Sequence, residues 1–497
     1  MPISPPQHPI KPRKPQYIYS NIPTNPYTTK KIAATTPTPP SRQAFLPKLS
    51  CIDDKKWLFL SSINDKIAIF ATEKLLIAMT KDLIKTLIAE YQQFVSEVKF
   101  LPRNVNFIDG QNYVLVGLRH AGKSYLMYQR IAQLLSNGHN LDEVLYFNFE
   151  DDRIDSLNIT DLELIKTCYE EMYNHRPLFF LDEVQLVAGW EKFARRLADH
   201  KYQVFITGSN AKMLSSEIAT TLGGRYLVQE VFPYSFAEYL LAHQIDISMK
   251  NAEYKHRKQI IRLADEYFRK GGMPETAMMP NNRPWLSSLF NKIFFGDLVA
   301  RHSIRNDFAL RVLIRKLAES IKQPMSYHRM ASIVSCAGKK ISTDATIDYI
   351  NYMDESWLIL PFENFVGKIQ DKEMNRKYYF IDNGLLALFL IDPNTSLLEN
   401  IVAVNLRRKY ADGCYFFNTP KAEVDFYIPD ESTAIQVAYS IADQDTRKRE
   451  IAGLVALSDY QNVEHLLIVT KDEEESLEVN GKTISVSPLW KWLLSIN

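Results

Sequence analysis

The sequence predicts an α/β protein built around a parallel sheet with helices on both faces. Between residues 113 and 231, apolar runs typical of buried strands alternate with stretches whose apolar residues recur at helical spacing. Such alternation is typical of a parallel sheet, whose ligands bind at the carboxyl ends of the strands. Several polar motifs of this chain fall at those ends. The predicted strands are 113–117, 143–149, 177–182, 202–208 and 225–231, and the predicted helices are 123–136, 160–174 and 190–199.

The first strand leads into a loop bounded by Gly117 and Gly122, and a helical pattern follows. The two glycines permit backbone conformations that a Cβ would obstruct, so successive N–H groups can turn toward a phosphate. The spacing is that of a P-loop, in which Lys123 reaches the β- and γ-phosphates and Ser124 holds Mg²⁺. The alternative is a tight strand-to-helix turn without a nucleotide. The expected nucleotide-binding residues are Gly117, Leu118, Arg119, His120, Ala121, Gly122, Lys123, Ser124 and Tyr125.

Two carboxylates, Asp182 and Glu183, follow the apolar run of the third predicted strand. A strand that ends in two acids usually marks only an exposed strand end. After a P-loop at a domain-sized distance, the same pattern favours a phosphate site. We expect Asp182 to bind Mg²⁺, directly or through water, and Glu183 to orient and deprotonate the attacking water.

Two further motifs belong to the same region. The strand 202–208 runs into Ser209 and Asn210, either of which would sense a γ-phosphate by hydrogen bonding. A strand-terminating turn explains the same residues. Gly223-Gly224-Arg225 offers a flexible loop with one guanidinium. Arg225 would stabilise charge on the transferring phosphoryl group, in cis or across a subunit interface, unless it is a surface arginine in a turn.

Composition limits the class of protein. The chain has 497 residues, 46% of them hydrophobic, which suits a globular protein of roughly two to four domains. Its formal net charge of +1 gives no global field that would attract nucleic acid or a membrane surface. The four cysteines lack ligand spacing, and no apolar run approaches the roughly 20 residues of a membrane span. We therefore expect a cytoplasmic protein that does not engage a membrane.

The segments around the sheet have their own patterns. Residues 1–47 hold half of the 24 prolines, which predicts an extended tail, either a solvated leader or a basic arm. Helical spacing over 64–98 predicts a lead-in to the sheet. Between residues 326 and 352, two short helices have helix-turn-helix spacing. The second helix carries Asp344 and Asp348, which favours a structural or partner-binding winged helix over a reader of duplex DNA.

Carboxylates recur in the last segment. Glu399 lies on a predicted helix and Asp425 on the second of three predicted strands, 414–417, 423–427 and 434–438. Acids on a helix and on neighbouring strands could converge on a metal site of oxygen ligands. A nuclease of this layout also needs a third acid and a lysine two residues beyond it. This chain has Gln436 and Ala438 at those positions.

Over residues 65–495 the ordered motifs resemble those of a prokaryotic ATPase family that joins an AAA-type P-loop domain to a C-terminal domain of unknown function. The motifs are GLRHAGKS, YFNFEDDR, FFLDEVQ, Trp190, ITGSN, GGR, FPYSFAEYL, GGMPE, KYYFIDNGL, LLEN and EVDF. The resemblance implies ATP and Mg²⁺ binding by Gly122, Lys123, Ser124 and Asp182, with hydrolysis through Glu183. It also makes Arg225 a better candidate for the charge-stabilising arginine.

The same resemblance implies that the tail is similar to a PD-(D/E)xK nuclease core, with Glu399, Asp425 and Gln436 at the acid positions. Loss of the third acid and of the lysine at Ala438 should weaken metal binding and leave water unactivated, so we expect binding rather than cutting. The predicted segments are a proline-rich tail (1–47), a helical lead-in (48–105), the AAA-type core (106–243), a helical lid (244–310), a winged-helix-like region (311–365) and a degenerate nuclease-like domain (366–497).

These patterns favour an ATPase that couples its nucleotide state to a C-terminal binding domain. One alternative is a nucleic-acid-associated protein, switched by ATP, or a residual nuclease. Another is a nucleotide-dependent interaction scaffold. The expected ligands are ATP and Mg²⁺, and the expected partner of the C-terminal half is a protein or DNA. A homo-oligomer is required if Arg225 acts in trans.

Overall fold

The structure is a computed structural model that describes residues 80–154, 157–208, 222–368, 372 and 374–496. The predicted tail, the lead-in up to residue 79, and Ser209 and Asn210 lie outside the described residues. None of the described helices combines the length and the apolar character that crossing a membrane requires.

The first part of the chain forms the predicted parallel sheet. Its elements are helix α1 (Lys81–Glu97), strand β1 (Asn112–Val116), α2 (Lys123–Ser136), β2 (Val144–Asn148), α3 (Ile159–Tyr173), β3 (Leu178–Asp182), α4 (Trp190–Asp199), β4 (Val204–Gly208) and β5 (Tyr226–Glu230). The strand order is β2-β3-β4-β1-β5, and every neighbouring pair is parallel. The inner strands β1, β3 and β4 are almost entirely buried, as their near-continuous apolar runs predict.

This strand order brings three strand ends to one edge. Strand β4 lies between β1 and β3, pairing Val116 with Gly208 on one side and Leu181 with Ile206 on the other. The loop after β1, the acid pair after β3 and Thr207 on β4 therefore meet at the carboxyl edge of the sheet. The predicted location of the site follows directly from this topology.

A helical segment follows the sheet. It consists of α5 (Phe236–Ala242), α6 (Ala252–Lys270), α7 (Arg283–Lys292) and a π-helix (Ile293–Ala300) that continues α7 without a break. Helix α6 stops at Gly271, whose φ of +78° suits a glycine at a helix end. Turns of π-helix are rare in proteins and are frequent at functional sites.

The middle region combines helices with a small sheet. Its elements are α8 (Asp307–Glu319), β6 (Met325–Ser326), α9 (Tyr327–Cys336), α10 (Thr343–Glu355), β7 (Ile359–Phe362) and β8 (Asn375–Phe380). Ser326 and Ser342 accept backbone hydrogen bonds that begin α9 and α10, so both helices of the predicted pair are confirmed. Strand β8 pairs antiparallel with both β6 and β7. The predicted boundary between residues 365 and 366 lies between β7 and β8, which pair with each other; we describe β8 with the middle region.

The last region contains a mixed sheet. Its elements are α11 (Asn383–Leu386), α12 (Asn394–Tyr410), β9 (Tyr415–Asn418), β10 (Glu423–Ile428), β11 (Thr433–Val437), α13 (Gln444–Tyr460), β12 (His465–Thr470), β13 (Glu475–Val479), β14 (Lys482–Pro488) and α14 (Leu489–Ser495). The strand order is β13-β14-β12-β11-β10-β9. Strands β11, β12 and β14 run parallel, and the outer pairings are antiparallel.

A fully buried amide joins the middle and last regions. Asn400 on α12 accepts a hydrogen bond from the Phe380 N–H at 2.7 Å and donates to the Phe380 carbonyl oxygen at 2.9 Å. It also donates to Oδ1 of Asn383 at 2.9 Å. The side chain therefore satisfies backbone groups at the end of β8 that would otherwise be buried without partners.

We expect Asn400→Ala to lower the free energy of unfolding by about 3 kcal/mol, because it leaves a buried N–H and a buried carbonyl unsatisfied. Urea denaturation followed by tryptophan fluorescence measures the loss. Thr395→Ala, at an exposed position of the same helix, is the control and should change stability by less than about 0.5 kcal/mol. Equal stability of the two variants would contradict the role given to Asn400.

Candidate nucleotide-binding site

The loop between β1 and α2 is held tightly against the chain that follows β5. A Cβ on Gly117 would collide with the carbonyl oxygen of Val231, and the Val231 N–H donates to the Val116 carbonyl oxygen at 2.7 Å. Gly122 has a φ of +98°, a conformation that residues with a Cβ rarely adopt. Both glycines of the predicted motif are therefore required by geometry.

The remaining loop side chains point in different directions. Leu118 and Ala121 are fully buried and anchor the loop in the core. His120 adopts a left-handed backbone conformation, with a φ of +60°. Tyr125 is 52% exposed at the start of α2, where it lies beside the ring of Tyr128.

Lys123 lies inside the loop, with only 4% of its side chain exposed. Its ammonium donates to the carbonyl oxygens of Gly117 and Leu118, each at 3.2 Å. The nearest carboxylate oxygen of Glu183 is 3.8 Å away. Burial lowers the pKa of Lys123, and the carboxylates of Glu183 and Asp182 act in the opposite direction.

Asp182 is a buried carboxylate with a full set of hydrogen-bond donors. The Tyr146 hydroxyl donates to Oδ2 at 2.7 Å, and the Thr207 hydroxyl donates to Oδ1. The Ser124 hydroxyl is a further partner. Burial raises the pKa of Asp182 in spite of these bonds. A cation at this position would therefore be bound favourably, because it would compensate the buried charge.

Glu183 follows Asp182 in a left-handed conformation, with a φ of +55°. Its N–H donates to the Thr207 hydroxyl oxygen at 2.8 Å, and its carboxylate accepts from the Gln185 amide. Thr207 therefore bonds both acids of the predicted pair. Because such a conformation is costly for a residue other than glycine, it is typical of sites where a side chain must be aimed.

The sequence analysis gives no role to Tyr146 or Thr207, although they lie within the motifs YFNFEDDR and ITGSN. Each is a polar residue within an otherwise apolar strand, β2 and β4 respectively, and this is the signal that could have indicated them. A buried hydroxyl needs a hydrogen-bond partner. Here the partner is the metal-binding carboxylate predicted from the sequence.

The residues present suit a nucleoside triphosphate with Mg²⁺. Ser124 and Asp182 offer the oxygen donors that Mg²⁺ prefers, and the loop N–H groups precede a helix N-terminus. Among the described residues, no group of three or more His, Cys, Asp or Glu side chains could hold a metal ion. Mg²⁺ in P-loop sites takes most of its ligands from water and phosphate, so one hydroxyl and one carboxylate fit it.

Two loop side chains contact residues from far along the chain. The Arg119 guanidinium forms a bidentate pair with Asp297 of the π-helix, at 2.7 and 3.1 Å, and reaches Glu150 at 3.2 Å. His120 Nδ1 lies 2.5 Å from a carboxylate oxygen of Glu275. Sequence motifs miss Asp297 because more than 170 residues separate it from the loop.

The structure places Arg225 away from the other predicted site residues. It precedes β5, and Tyr226 pairs with Asn112 at the amino end of β1, so Arg225 lies at the edge opposite the P-loop. With five-residue strands this separation is roughly 15 Å. Arg225 instead pairs with Asp199 at 2.6 Å. This position does not support a role in cis, and the role of Arg225 stays a prediction.

A second set of charges lies in the last region. The fully buried Lys377 of β8 places its ammonium 3.3 Å from Glu399, 3.3 Å from Glu423 and 3.2 Å from Asp425. Burial raises the pKa of Glu399 even though Lys377 opposes this effect. We call Lys377, Glu399, Glu423 and Asp425 the carboxylate cluster. It borders an open cleft of about 510 Å³ whose rim carries Lys322, Lys421 and Arg449.

Gln436 does not face the cluster as a free ligand. Its Oε1 accepts from the Asp425 N–H at 2.9 Å, and its Nε2 donates to the Glu423 carbonyl oxygen at 3.0 Å. Ala438 is buried. The structure therefore brings the predicted positions Glu399, Asp425 and Gln436 together, but it satisfies Gln436 entirely with backbone groups.

We expect Thr207→Val to weaken ATP binding in the presence of Mg²⁺ about tenfold, because Asp182 loses a donor and the Glu183 N–H loses its acceptor. Calorimetric titration with and without Mg²⁺ measures the change. Thr207→Ser keeps the hydroxyl and should bind like the unmodified protein. If the valine variant binds as well as the serine variant, Thr207 does not support the acid pair.

Two protein families match consecutive parts of this chain. Residues 109–240 match an AAA domain family, and residues 261–395 match a domain of unknown function, DUF8612. The first match covers the sheet and its site, and AAA domains are nucleotide-binding domains. The second match runs from α6 to the helix start of α12, which includes Asp297 and Lys377.

Solved structures give weaker similarity. A Walker-type ATPase of Pyrococcus abyssi has a TM-score of 0.32 and 12% identity, over 56% of this chain and 90% of that one. The ORC2 protein of Aeropyrum pernix in its ADP form has a TM-score of 0.31 and 13% identity, over 63% and 97%. Both TM-scores are below 0.5, so these similarities carry no conclusion about this chain.

Two relatives extend over most of the sequence. An uncharacterised protein of Haemophilus influenzae is 28% identical over 419 residues, which is 80% of this chain and 98% of the relative. An uncharacterised protein of Methanocaldococcus jannaschii is 30% identical over 463 residues, which is 90% of this chain and 98% of the relative. The chain therefore belongs to the same family as this archaeal protein, with an AAA domain followed by DUF8612.

Proposed function

We propose that the protein is an ATPase that binds ATP with Mg²⁺ and hydrolyses it at the carboxyl edge of the first sheet. The observation that carries this proposal is the arrangement of Lys123, Asp182 and Glu183, with Glu183 3.8 Å from the lysine and Thr207 bonding both acids. The AAA domain match supports it. These groups supply phosphate binding, metal binding and water activation together.

Each residue has a defined task in this proposal. The loop N–H groups and Lys123 bind the β- and γ-phosphates, and Ser124 and Asp182 hold Mg²⁺, which neutralises developing charge when bound. Glu183 orients water and accepts its proton. The water oxygen bonds to the γ-phosphorus as the bond to the β,γ-bridging oxygen breaks, which releases ADP and phosphate.

We expect Glu183→Gln to lower ATP turnover at least 100-fold while ATP still binds, because the amide cannot accept the proton. Phosphate release measures turnover, and calorimetry measures binding. Glu319→Gln makes the same chemical change at an exposed position on α8 and is the control. Turnover that survives Glu183→Gln would contradict the assigned base. If the unmodified protein shows no turnover, only the nucleotide-binding part of the proposal remains.

We also propose that nucleotide state is coupled to the C-terminal half. Three contacts support a physical connection: Arg119 with Asp297, His120 with Glu275, and His302 stacked on Tyr352 of α10 at 3.7 Å. The first two join the P-loop to the helical segment, and the third joins that segment to the middle region. In this proposal, a displacement of the loop is transmitted through these contacts to α10.

We infer a winged-helix fold for the middle region, since the order α8, β6, α9, α10, β7, β8 with a three-stranded sheet is that of a winged helix. We propose that it binds a protein partner. The acidic residues Asp344 and Asp348 on α10 would repel DNA phosphates. Salt-dependent retardation of duplex DNA by the protein would instead support the nucleic-acid alternative.

For the last region we propose a nuclease-like fold retained for binding. The carboxylate cluster has an internal cation in Lys377, the third acid is replaced by Gln436 and the lysine by Ala438. The ammonium already compensates the acids that a metal ion would bridge. This supports a site that does not recruit a catalytic metal.

We expect no cleavage of single- or double-stranded DNA or RNA by the protein in Mg²⁺ or Mn²⁺. Gel analysis of labelled strands after prolonged incubation tests this. Asp425→Ala is the informative variant, because a contaminating nuclease would survive the substitution. Metal-dependent cleavage that Asp425→Ala abolishes would replace this proposal by the residual-nuclease alternative.

Two remaining aspects are also proposals. The absence of ligand spacing among the cysteines supports a reducing compartment, which we propose to be the cytoplasm. If Arg225 acts in trans, a homo-oligomer is required, because another copy of the chain would have to present its P-loop to this arginine. In that case specific ATPase activity should fall on dilution.

A further inference from the structure

We propose that Arg119 binds the γ-phosphate of ATP and stabilises its charge during transfer, acting within its own chain. This inference rests on the proposed ATPase function. It gives the reaction a charge-stabilising arginine at the P-loop itself, where Arg225 does not lie.

Arg119 is on the correct edge of the sheet and close to the reacting groups. It belongs to the loop that follows β1, and 17% of its side chain is exposed. The charge of Arg119 contributes to lowering the pKa of Lys123, and the charge of Glu183 contributes to raising the pKa of Arg119. Burial tends to lower the pKa of the guanidinium, but Asp297, Glu183 and Glu150 outweigh burial and raise it.

The guanidinium is held by groups that a phosphate can replace. Asp297 presents two oxygens to Arg119 in the fork geometry that a phosphate also offers. A triphosphate in the loop brings additional negative charge next to the same guanidinium. The γ-phosphate therefore competes with Asp297 and Glu150 for one arginine.

Asp297 can give up Arg119 without becoming an isolated buried charge. Arg301, one turn further along, lies 3.2 Å from Oδ1 of Asp297. Breaking a buried ion pair is costly chiefly when the remaining charge has no partner. Because Arg301 remains beside Asp297 and the phosphate receives Arg119, both partners stay compensated after the exchange.

This exchange also gives the proposed coupling a chemical trigger. Asp297 belongs to the π-helix, and His302, which follows this helix, stacks on Tyr352 of α10. ADP lacks the phosphate that would draw Arg119 away. The pair between Arg119 and Asp297 would thus exist with ADP and be exchanged with ATP.

The decisive measurement is the ratio of the ATP and ADP dissociation constants, determined by calorimetry with Mg²⁺ in proteins that also carry Glu183→Gln. We expect Arg119→Gln to weaken ATP binding at least tenfold and to leave ADP binding within about twofold, because only ATP has the third phosphate. The ATP affinity of the Arg119→Lys variant should lie between that of the Arg119→Gln variant and that of the protein with Arg119. Arg262→Gln, an exposed arginine on α6, is the matched control.

A second variant tests the same exchange from the other side. Asp297→Asn should strengthen ATP binding several-fold and leave ADP binding unchanged, because Arg119 is no longer held by a full charge. Thermal unfolding of each variant checks that the fold is kept. With Glu183 restored, Arg119→Gln should lower turnover at least 100-fold at saturating ATP, as expected of a charge-stabilising arginine.

The outcomes separate this inference from the function on which it rests. If the protein without these substitutions binds neither nucleotide, the proposed function fails. If it binds both, and Arg119→Gln weakens ATP and ADP equally or changes neither, the ATPase proposal stands and the role of Arg119 is overturned. A folded Asp297→Asn variant with an unchanged ratio would likewise overturn the exchange.

Discussion

The first sheet depends on keeping the Asp182 carboxylate buried beside the P-loop. A carboxylate removed from water needs several donors, and here they come from three different elements. Tyr146 on β2, Thr207 on β4 and Ser124 on α2 all contribute hydroxyl groups. These bonds can form together only when β3 lies between β2 and β4. The strand order and the chemistry of the site are therefore one constraint.

The sequence predicts the sheet well because its strands are short apolar runs that end in polar residues. It predicts Gly117 and Gly122 because their role is set by local backbone geometry. It does not predict the role of Asp297 or of Lys377, since each acts on groups far away in the chain. Lys377 opens the motif KYYFIDNGL, but the motif does not indicate which acids it contacts. Arg225 shows the converse: its glycine-rich context suggests a site, but the parallel pairing of β5 places it at the edge opposite the P-loop, a position that no local motif indicates.

Two cations, the partly exposed Arg119 and the fully buried Lys377, have different surroundings. The guanidinium of Arg119 is held at the mouth of a loop by carboxylates from two separate segments, Glu150 and Asp297. The ammonium of Lys377 is surrounded by three carboxylates with no exposure of its side chain. A partly exposed cation can change partners at moderate cost, whereas a fully enclosed one cannot. The first arrangement suits a changing contact and the second a fixed one.

The position of Lys377 has a consequence for how the protein folds. This lysine belongs to the strand that completes the middle sheet, but the acids that compensate it belong to α12 and β10 of the last region. Neither region can unfold alone without leaving a charge uncompensated in the interior of the other. Together with Asn400, the ion pairs should make these two regions a single cooperative unit, whose amide hydrogens exchange with the same opening free energy.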